Sequence, residues 1–117
     1  MFEYKAFVFR VVDGDTFKAE VDLGFGIKVT RTFRLYGVDT PETHRPKSEA
    51  ERKLGKEATR FVRDLIDGRN VTLRTHKDRT GKYGRYLADV VFPEGTLSDI
   101  LKKERLTKAD VQPSLID

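Results

Sequence analysis

Residues 16–35 read TFKAEVDLGFGIKVTRTFRL, and this stretch decides the fold. In its first half apolar side chains alternate with charged ones, a pattern typical of a strand with one buried face; the apolar set is Phe17, Ala19, Val21 and Leu23. Gly24-Phe25-Gly26 then predicts a hairpin turn, and a second strand follows up to Leu35. Arg31 interrupts the apolar face of that strand, so we interpret it as a bulge or an edge position.

The segment before this hairpin predicts another strand, and the segment after it predicts a loop. Residues 4–12 are rich in β-branched and aromatic types and stop at the turn signal Asp13-Gly14, which predicts a first strand. Residues 37–47 carry two prolines among polar residues. Because Pro41 disfavours helical geometry at the residue before it, we expect a loop here that carries Asp39 and Glu42.

The second half of the chain predicts two helices and two strands. Ser48 and Glu51 form a capping-box pattern before a run of apolar residues at helical spacing that ends at Gly68. Residues 71–75 and 85–92 predict strands separated by a polar loop at residues 76–82. Thr96 is positioned to cap a second helix that turns Leu97 and Leu101 inward.

This order of elements predicts a small, mainly β, α+β domain. Three strands, a helix, two further strands and another helix fit the five-stranded Greek-key barrel called the OB-fold, with two or three flanking helices. The 117 residues suit one domain spanning 1–117, with 107–117 as an irregular tail.

Composition narrows the possible functions. The chain has no cysteine and only two histidines, His44 and His76, which we expect to be exposed loop residues; thiolate chemistry is excluded and a zinc site is disfavoured. A net charge of +4 mildly favours a polyanionic partner. No apolar run is long enough to span a membrane, and residues 1–5 lack the pattern of a signal peptide. We therefore expect no membrane partner, and a cytoplasmic protein or the mature form of an exported one.

Three separated segments carry the candidate site residues. Asp13 and Asp15 flank a turn glycine, and Asp39 follows the end of another strand, so a barrel could bring Asp15 and Asp39 together around a hard cation. The alternative for Asp-Gly is ordinary turn chemistry, which suits Asp13 best.

Basic and acidic residues in the same segments suit phosphate chemistry. Arg34 and Arg85 could bind a phosphate through their planar guanidinium groups, although surface arginines are often only solvated. Glu42 could accept a proton from a water as general base, or it could cap local backbone amides. Lys82 and Tyr83 could contact a second phosphate, although Tyr83 also suits a packing role.

Together these segments resemble the thermonuclease family, whose members are the staphylococcal nuclease-like proteins. The resemblance runs from about Phe7 to Leu106 and rests on Val12-Asp13-Gly14-Asp15-Thr16, on Phe33-Arg34-Leu35 with Val38-Asp39-Thr40-Pro41-Glu42-Thr43, and on Lys82-Tyr83-Gly84-Arg85. It implies an OB-fold barrel with helices that uses one Ca²⁺ ion to cleave DNA and RNA endonucleolytically, leaving 3′-phosphate ends. We expect the protein to be a monomer.

The resemblance also implies a role for each matching residue. Asp15, Asp39 and the backbone carbonyl of Thr40 would bind calcium, and Glu42 would act on the attacking water as base or orienter. Arg34 and Arg85 would hold the scissile phosphate, with Arg85 also assisting the leaving oxygen. Lys82 and Tyr83 would hold the neighbouring phosphate of the nucleotide.

One region departs from the family pattern. Family members of the staphylococcal type continue into tyrosines that stack on a base and then a third helix, whereas residues 109–113 here contain no aromatic residue. Base stacking contributes on the order of 1 to 3 kcal/mol, so we expect weaker substrate affinity with the chemistry intact. The alternative function is a non-catalytic OB-fold module that binds nucleic acid or protein; a sugar-binding barrel is a third possibility supported by the fold alone.

Overall fold

The alternating stretch at residues 16–35 forms the predicted hairpin in the computed structural model, which describes residues 2–80 and 85–113, residues 77–80 by their backbone alone. Its strands are β2 (Thr16–Asp22) and β3 (Lys28–Leu35), which pair antiparallel from Thr16 opposite Arg34 to Asp22 opposite Lys28. The turn between them uses left-handed backbone at Gly24 and Gly26, a conformation that glycine adopts without strain.

Three further long strands close the hairpin into a barrel. They are β1 (Phe2–Asp13), β4 (Asn70–Thr80) and β5 (Tyr86–Phe92), and a two-residue β6 (Gly95–Thr96) extends the β5 edge. The hydrogen-bonded order is β3-β2-β1-β4-β5-β6, and a parallel pairing of β3 with β5 joins the two ends of the five-stranded sheet. This closed, mostly antiparallel barrel confirms the predicted OB-fold.

The pairing of β1 with β2 is irregular in β1, whereas the pairing of β3 with β2 is regular at Arg31. The pairing of β2 with β3 runs without interruption through Arg31, which faces Ala19. Its guanidinium lies 5.9 Å from the centre of the Tyr86 ring, so the charge contacts an aromatic face instead of entering the core. Of the two interpretations of Arg31, the bulge is therefore wrong. The edge position agrees with the structure, because the pairing of β3 with β5 covers only residues 33–35. The register shifts between β1 and β2 fall between Val8 and Arg10 and between Val11 and Asp13.

Helix α1 (Glu49–Ile66) begins and ends where the sequence predicts. The Ser48 hydroxyl accepts a hydrogen bond from the Glu51 amide at 3.1 Å, and Gly68 has the left-handed φ of 70° that is common after a helix. The second half of the capping box differs. The Glu51 carboxylate accepts hydrogen bonds from the amides of Lys47 and Glu42, because the preceding loop folds back over the helix.

Strand β4 is longer than its sequence predicts. Residues 76–80, predicted as part of a loop, continue the strand, and Thr80 pairs with Tyr86 after an irregularity that follows Thr75. His76 is therefore a strand residue and half-buried, which corrects the prediction of an exposed loop histidine.

The remaining elements lie beside β5 and after it. Helix α2 (Leu97–Lys103) begins at the predicted cap, where the Thr96 hydroxyl accepts a hydrogen bond from the Asp99 amide. The segment predicted as an irregular tail contains a 3₁₀ turn at Lys108–Asp110, and residues 114–117 lie outside the described part of the chain.

The core fills the barrel interior and the space beneath both helices. Its fully buried side chains come from β1 to β5 and from one face of each helix: Val8, Phe17, Leu35, Val62, Ile66, Leu73, Val90, Leu97 and Leu101. Neither helix in the described ranges combines the length and apolar character needed to cross a bilayer.

Candidate active site

A cavity of about 830 Å³ opens at the end of the barrel where β1 turns into β2 and β3 ends. The predicted site residues that the structure describes all line it: Asp15, Arg34, Asp39, Thr40, Glu42 and Arg85, together with Asp13. Lys82 and Tyr83 lie outside the described residues. Side chains from distant parts of the sequence are thus brought to one concave surface.

Strand pairing positions the two arginines. Arg34 pairs with Thr16 of β2 on one side and with Leu87 of β5 on the other, so it lies where the barrel closes. Arg85 immediately precedes β5, and its Nη1 lies 3.4 Å from the Thr16 hydroxyl. Two guanidinium groups therefore flank the same end of β2, an arrangement that suits bidentate binding of a phosphate.

The Arg34 side chain is held in place by its own loop. Its Nη1 donates to the carbonyls of Leu35 and Val38, each at 2.9 Å. Its Nη2 donates to the Asp39 carboxylate and lies 3.5 Å from Asp15 Oδ2. The carboxylates of Asp15 and Asp39 therefore converge on a single nitrogen atom.

The closeness of the Asp15 and Asp39 carboxylates bears on whether these residues fit a calcium ion. The Arg34 guanidinium lies between the two carboxylates. Carboxylates brought this close to each other can also share a hard cation beside the guanidinium, with carbonyl oxygens and water completing the shell. Among the described residues, no three His, Cys, Asp or Glu side chains cluster as a metal site on their own. The donor set is thus two carboxylates and a candidate backbone oxygen from Thr40, which fits Ca²⁺ better than a metal that prefers nitrogen or sulfur ligands.

The two aspartates of the Asp13-Gly14-Asp15 turn have different protonation behaviour. Burial, a hydrogen bond to Asp15 and the negative charge of Asp15 raise the pKa of Asp13 to about 7. Burial also acts to raise the pKa of Asp15, but hydrogen bonds from Asp13 and the Thr40 amide, with the nearby Arg34 charge, lower it below its ordinary value. Asp15 is therefore the ionised partner, while Asp13 Oδ1 accepts the Asp15 amide at 3.1 Å and stabilises the turn.

The loop that carries Asp39, Thr40 and Glu42 is fixed near its start by two hydrogen bonds. Asp15 Oδ2 accepts the Thr40 amide at 3.0 Å, and the Lys108 amide donates to the Asp39 carbonyl at 2.8 Å. A Cβ at Gly14 would lie 2.8 Å from the Thr40 side chain, so the turn needs glycine to approach the loop this closely.

Helix α1 supplies the other support for this loop. The Glu51 side chain is only 4% exposed and accepts the Lys47 amide at 2.7 Å and the Glu42 amide at 3.4 Å. One turn further on, a Cβ at Gly55 would lie 2.7 Å from the Pro41 carbonyl oxygen. Sequence reasoning missed both roles; the only local signal was a glycine within an otherwise good helix.

We expect Glu51→Gln to destabilise the protein at neutral pH and to change its response to acid. The Lys47 and Glu42 amides lower the pKa of Glu51 below its ordinary value of 4.5. The stabilisation from this carboxylate is therefore complete above pH 4.5 and lost as pH falls below it. Losing an ionised acceptor should cost on the order of 1 kcal/mol at pH 7, and the gap from wild type should shrink near pH 3.

Denaturant unfolding of both proteins at the two pH values measures this gap. Glu49→Gln is the matched control, because Glu49 lies in the same helical turn but is exposed and pairs with the exposed Arg52. A gap of the same size for Glu49→Gln, or one independent of pH for Glu51→Gln, would contradict the assigned role.

We expect Gly55→Ala to destabilise the protein, although the same change in an exposed helix interior stabilises by about 1 kcal/mol. The added methyl group would meet the Pro41 carbonyl and the Thr43 methyl group, both at 2.7 Å, and such overpacking costs about 1 to 3 kcal/mol. Thermal unfolding measures this loss of stability, with the exposed Glu57→Ala as control. A Gly55→Ala protein more stable than the wild type would show that the Pro41 carbonyl and the Thr43 methyl group move aside at little cost.

Other residues of the cavity complete its description. Glu42 and His44 are exposed at its edge, as predicted for His44. Tyr36 and Lys108 also line it, and sequence reasoning identified neither. Tyr36 could have been noticed as an aromatic residue directly after the Arg34-Leu35 strand end, whereas nothing in the local sequence links Lys108 to the site.

Comparison with known proteins identifies a matching family and several relatives. Residues 32–114 match the family model described as staphylococcal nuclease homologue. The chain is 35% identical over 102 residues to a thermonuclease of Staphylococcus hyicus, covering 87% of this chain and 57% of that protein. It is 37% identical over 104 residues to a thermonuclease of Staphylococcus intermedius, covering 89% of this chain and 58% of that protein.

A relative from another genus gives a similar result. The chain is 36% identical over 100 residues to the endonuclease YncB of Bacillus subtilis (strain 168), covering 85% of this chain and 44% of that protein. The chain thus spans little more than half the length of the two thermonucleases and less of YncB.

Proposed function

Because this chain belongs to the staphylococcal nuclease family, we propose that it is a Ca²⁺-dependent endonuclease that hydrolyses phosphodiester bonds of DNA and RNA with little sequence specificity. One observation carries the proposal. Two guanidinium groups, two convergent carboxylates and a further glutamate, from separate segments, line a single cavity. Nucleases of this chemistry need these groups together, and a binding module does not.

The phosphate is the first group that the site would bind. Arg34 and Arg85 flank Thr16 and would each donate hydrogen bonds to oxygens of the scissile phosphate. Arg34 is already fixed by two carbonyls, so little side-chain freedom would be lost on binding. Asp15 and Asp39 would hold the calcium ion, which when bound would supply Lewis-acid polarisation of a phosphoryl oxygen.

The hydrolysis would use the remaining side chains. A water held by Glu42 would attack phosphorus, forming a P–O bond as the bond to the 5′-oxygen breaks. Glu42 would either accept a proton from this water or orient the water for attack. Arg85 would donate a hydrogen bond to the negative charge that develops on the leaving oxygen. The leaving 5′-oxygen would take up a proton from solvent to become a free 5′-hydroxyl, and the phosphate would remain on the 3′-oxygen as a 3′-phosphate.

A covalently closed circular single strand tests this proposal, because only an endonuclease can open it. We expect circles of DNA and of RNA to be linearised, and the new ends to resist extension by a template-independent polymerase until a 3′-phosphatase is added. Intact circles beside degraded linear strands would exclude endonucleolytic action. Ends that extend without phosphatase treatment would exclude the proposed bond cleavage.

A further inference from the structure

Two aromatic rings stack at the edge of the candidate active site, and the mechanism above uses neither. The rings of Tyr36 and His76 have centroids 3.8 Å apart and an interplanar angle of 16°. Tyr36 is nevertheless 46% exposed, so His76 covers only part of its surface. Since neither side chain belongs to the buried core, packing of the barrel does not explain the pair.

The Tyr36 backbone is fixed on both sides. Its amide donates to the Ala88 carbonyl of β5 at 2.9 Å, and its carbonyl accepts the Ser98 hydroxyl of α2 at 2.8 Å. The ring is held by His76 from β4. An exposed aromatic ring that is held in this way loses little conformational freedom when it contacts a ligand.

The position of Tyr36 connects two cavities. It lines the candidate active site together with Arg34 and Arg85, and it also lines an adjacent cavity of about 270 Å³. Arg74, His76 and Lys102 face that second cavity, along with Asp89 and Asp99. The Asp89 carboxylate is occupied by the amides of Val90 and Ser98, and Arg74 pairs with Glu3 at 2.9 Å.

These surroundings suit one class of ligand. Tyr36 and Gly37 line both cavities, so a strand bound through a phosphate at the arginines can pass from the active-site cavity to the second cavity alongside Tyr36. Every nucleobase has a flat π-face that stacks on an aromatic side chain independently of sequence. Lys102 is exposed beside this path and can approach the backbone phosphates.

We propose that Tyr36, held by His76, is a stacking subsite for the nucleobase of a nucleotide next to the cleaved bond. The inference rests on the proposed nuclease function and adds a subsite to it. Tyr36 contacts the base directly, and His76 is a positioning residue that keeps the tyrosine ring oriented.

A labelled single-stranded DNA with one abasic nucleotide at its centre tests the subsite. Cleavage at each bond is resolved on a gel and compared with that of the unmodified strand, so that the cleaved bond itself defines the binding register. For the wild type we expect kcat/KM to fall at least about five-fold at one particular offset from the abasic position, the lower end of a base-stacking contribution.

Four variants test whether this minimum in kcat/KM, at one offset from the abasic position, depends on Tyr36 and His76. Tyr36→Ala should remove the offset-specific minimum, Tyr36→Phe should keep it, and His76→Ala should weaken it while His76→Phe restores it. Phe25→Ala is the matched control, because Phe25 is an exposed aromatic at the β2–β3 turn and lines neither cavity. An unchanged minimum in Tyr36→Ala, or none in the wild type, would overturn the proposal.

A binding measurement separates this inference from the nuclease proposal. With a chelator present, fluorescence anisotropy compares an intact pentanucleotide with one that is abasic throughout. If the wild type cleaves nothing, the nuclease function fails, yet the subsite still predicts at least about five-fold tighter binding of the intact strand. Tyr36→Ala should abolish that preference, and a preference that survives this change would refute the subsite.

Discussion

Arg85→Ala is expected to lower kcat for DNA cleavage by at least about 10²-fold while leaving the fold intact. Arg85 lies at the start of β5, lines the candidate active site, and reaches the Thr16 hydroxyl at 3.4 Å. A guanidinium in this position would bind the phosphate and stabilise charge on the leaving oxygen. Loss of one such donor removes stabilisation that is greatest in the transition state, so kcat should fall more than KM rises.

Two further variants make this result specific. Arg85→Lys keeps the positive charge but loses the planar fork of donors, so its rate should lie between those of Arg85→Ala and the wild type. Arg60→Ala removes an exposed arginine of α1 and should cleave at the wild-type rate. Circular dichroism and a thermal scan establish that each variant is folded. Wild-type turnover by a folded Arg85→Ala protein would show that its role is misassigned.

Asp39→Asn is expected to weaken calcium binding and to lower the cleavage rate at a fixed calcium concentration by about 10²-fold. The Asp39 side chain is 67% exposed, and Arg34 is its partner in the described contacts, so the change removes a charge with little disturbance of packing. Arg34 would keep its bonds to the carbonyls of Leu35 and Val38. Calcium affinity depends on the number of charged ligands, and Lewis-acid assistance is worth several kcal/mol, which sets the expected magnitude.

Isothermal titration with Ca²⁺ and cleavage rates over a calcium series measure the two effects separately. For Asp39→Asn we expect a lower calcium affinity, and we expect the cleavage rate to recover in part as the calcium concentration is raised. Asp64→Asn, an exposed carboxylate on α1, should match the wild type in both measurements. An unchanged isotherm together with an unchanged rate would remove Asp39 from the metal site.

The sequence predicts the barrel because its strands follow simple patterning. These patterns involve residues only a few positions apart in the sequence. They are the alternation over residues 16–35, the glycines at the turn and the capping signal before α1. The length of β4 could not be predicted in this way. Residues 76–80 are polar and show no strand pattern in the sequence, whereas in the structure they continue the strand and Thr80 pairs with Tyr86 of β5.

The candidate site shows the same division between local pattern and tertiary structure. The residue types and their motifs identify Asp15, Arg34 and Asp39 as candidates, but their convergence on one Arg34 nitrogen depends on barrel closure. That closure is a parallel pairing of β3 with β5, which no local pattern specifies. Glu51 and Gly55 were missed for a related reason, because the loop that they support contacts them only after folding.

Cleavage of single-stranded DNA with Ca²⁺, with and without a chelator, is the most direct test of the nuclease proposal. We predict that the protein cleaves the strand in Ca²⁺, that the chelator stops cleavage, and that excess Ca²⁺ restores it. Tight, salt-sensitive binding without hydrolysis in any divalent cation would contradict the proposal and would indicate a non-catalytic nucleic-acid-binding module.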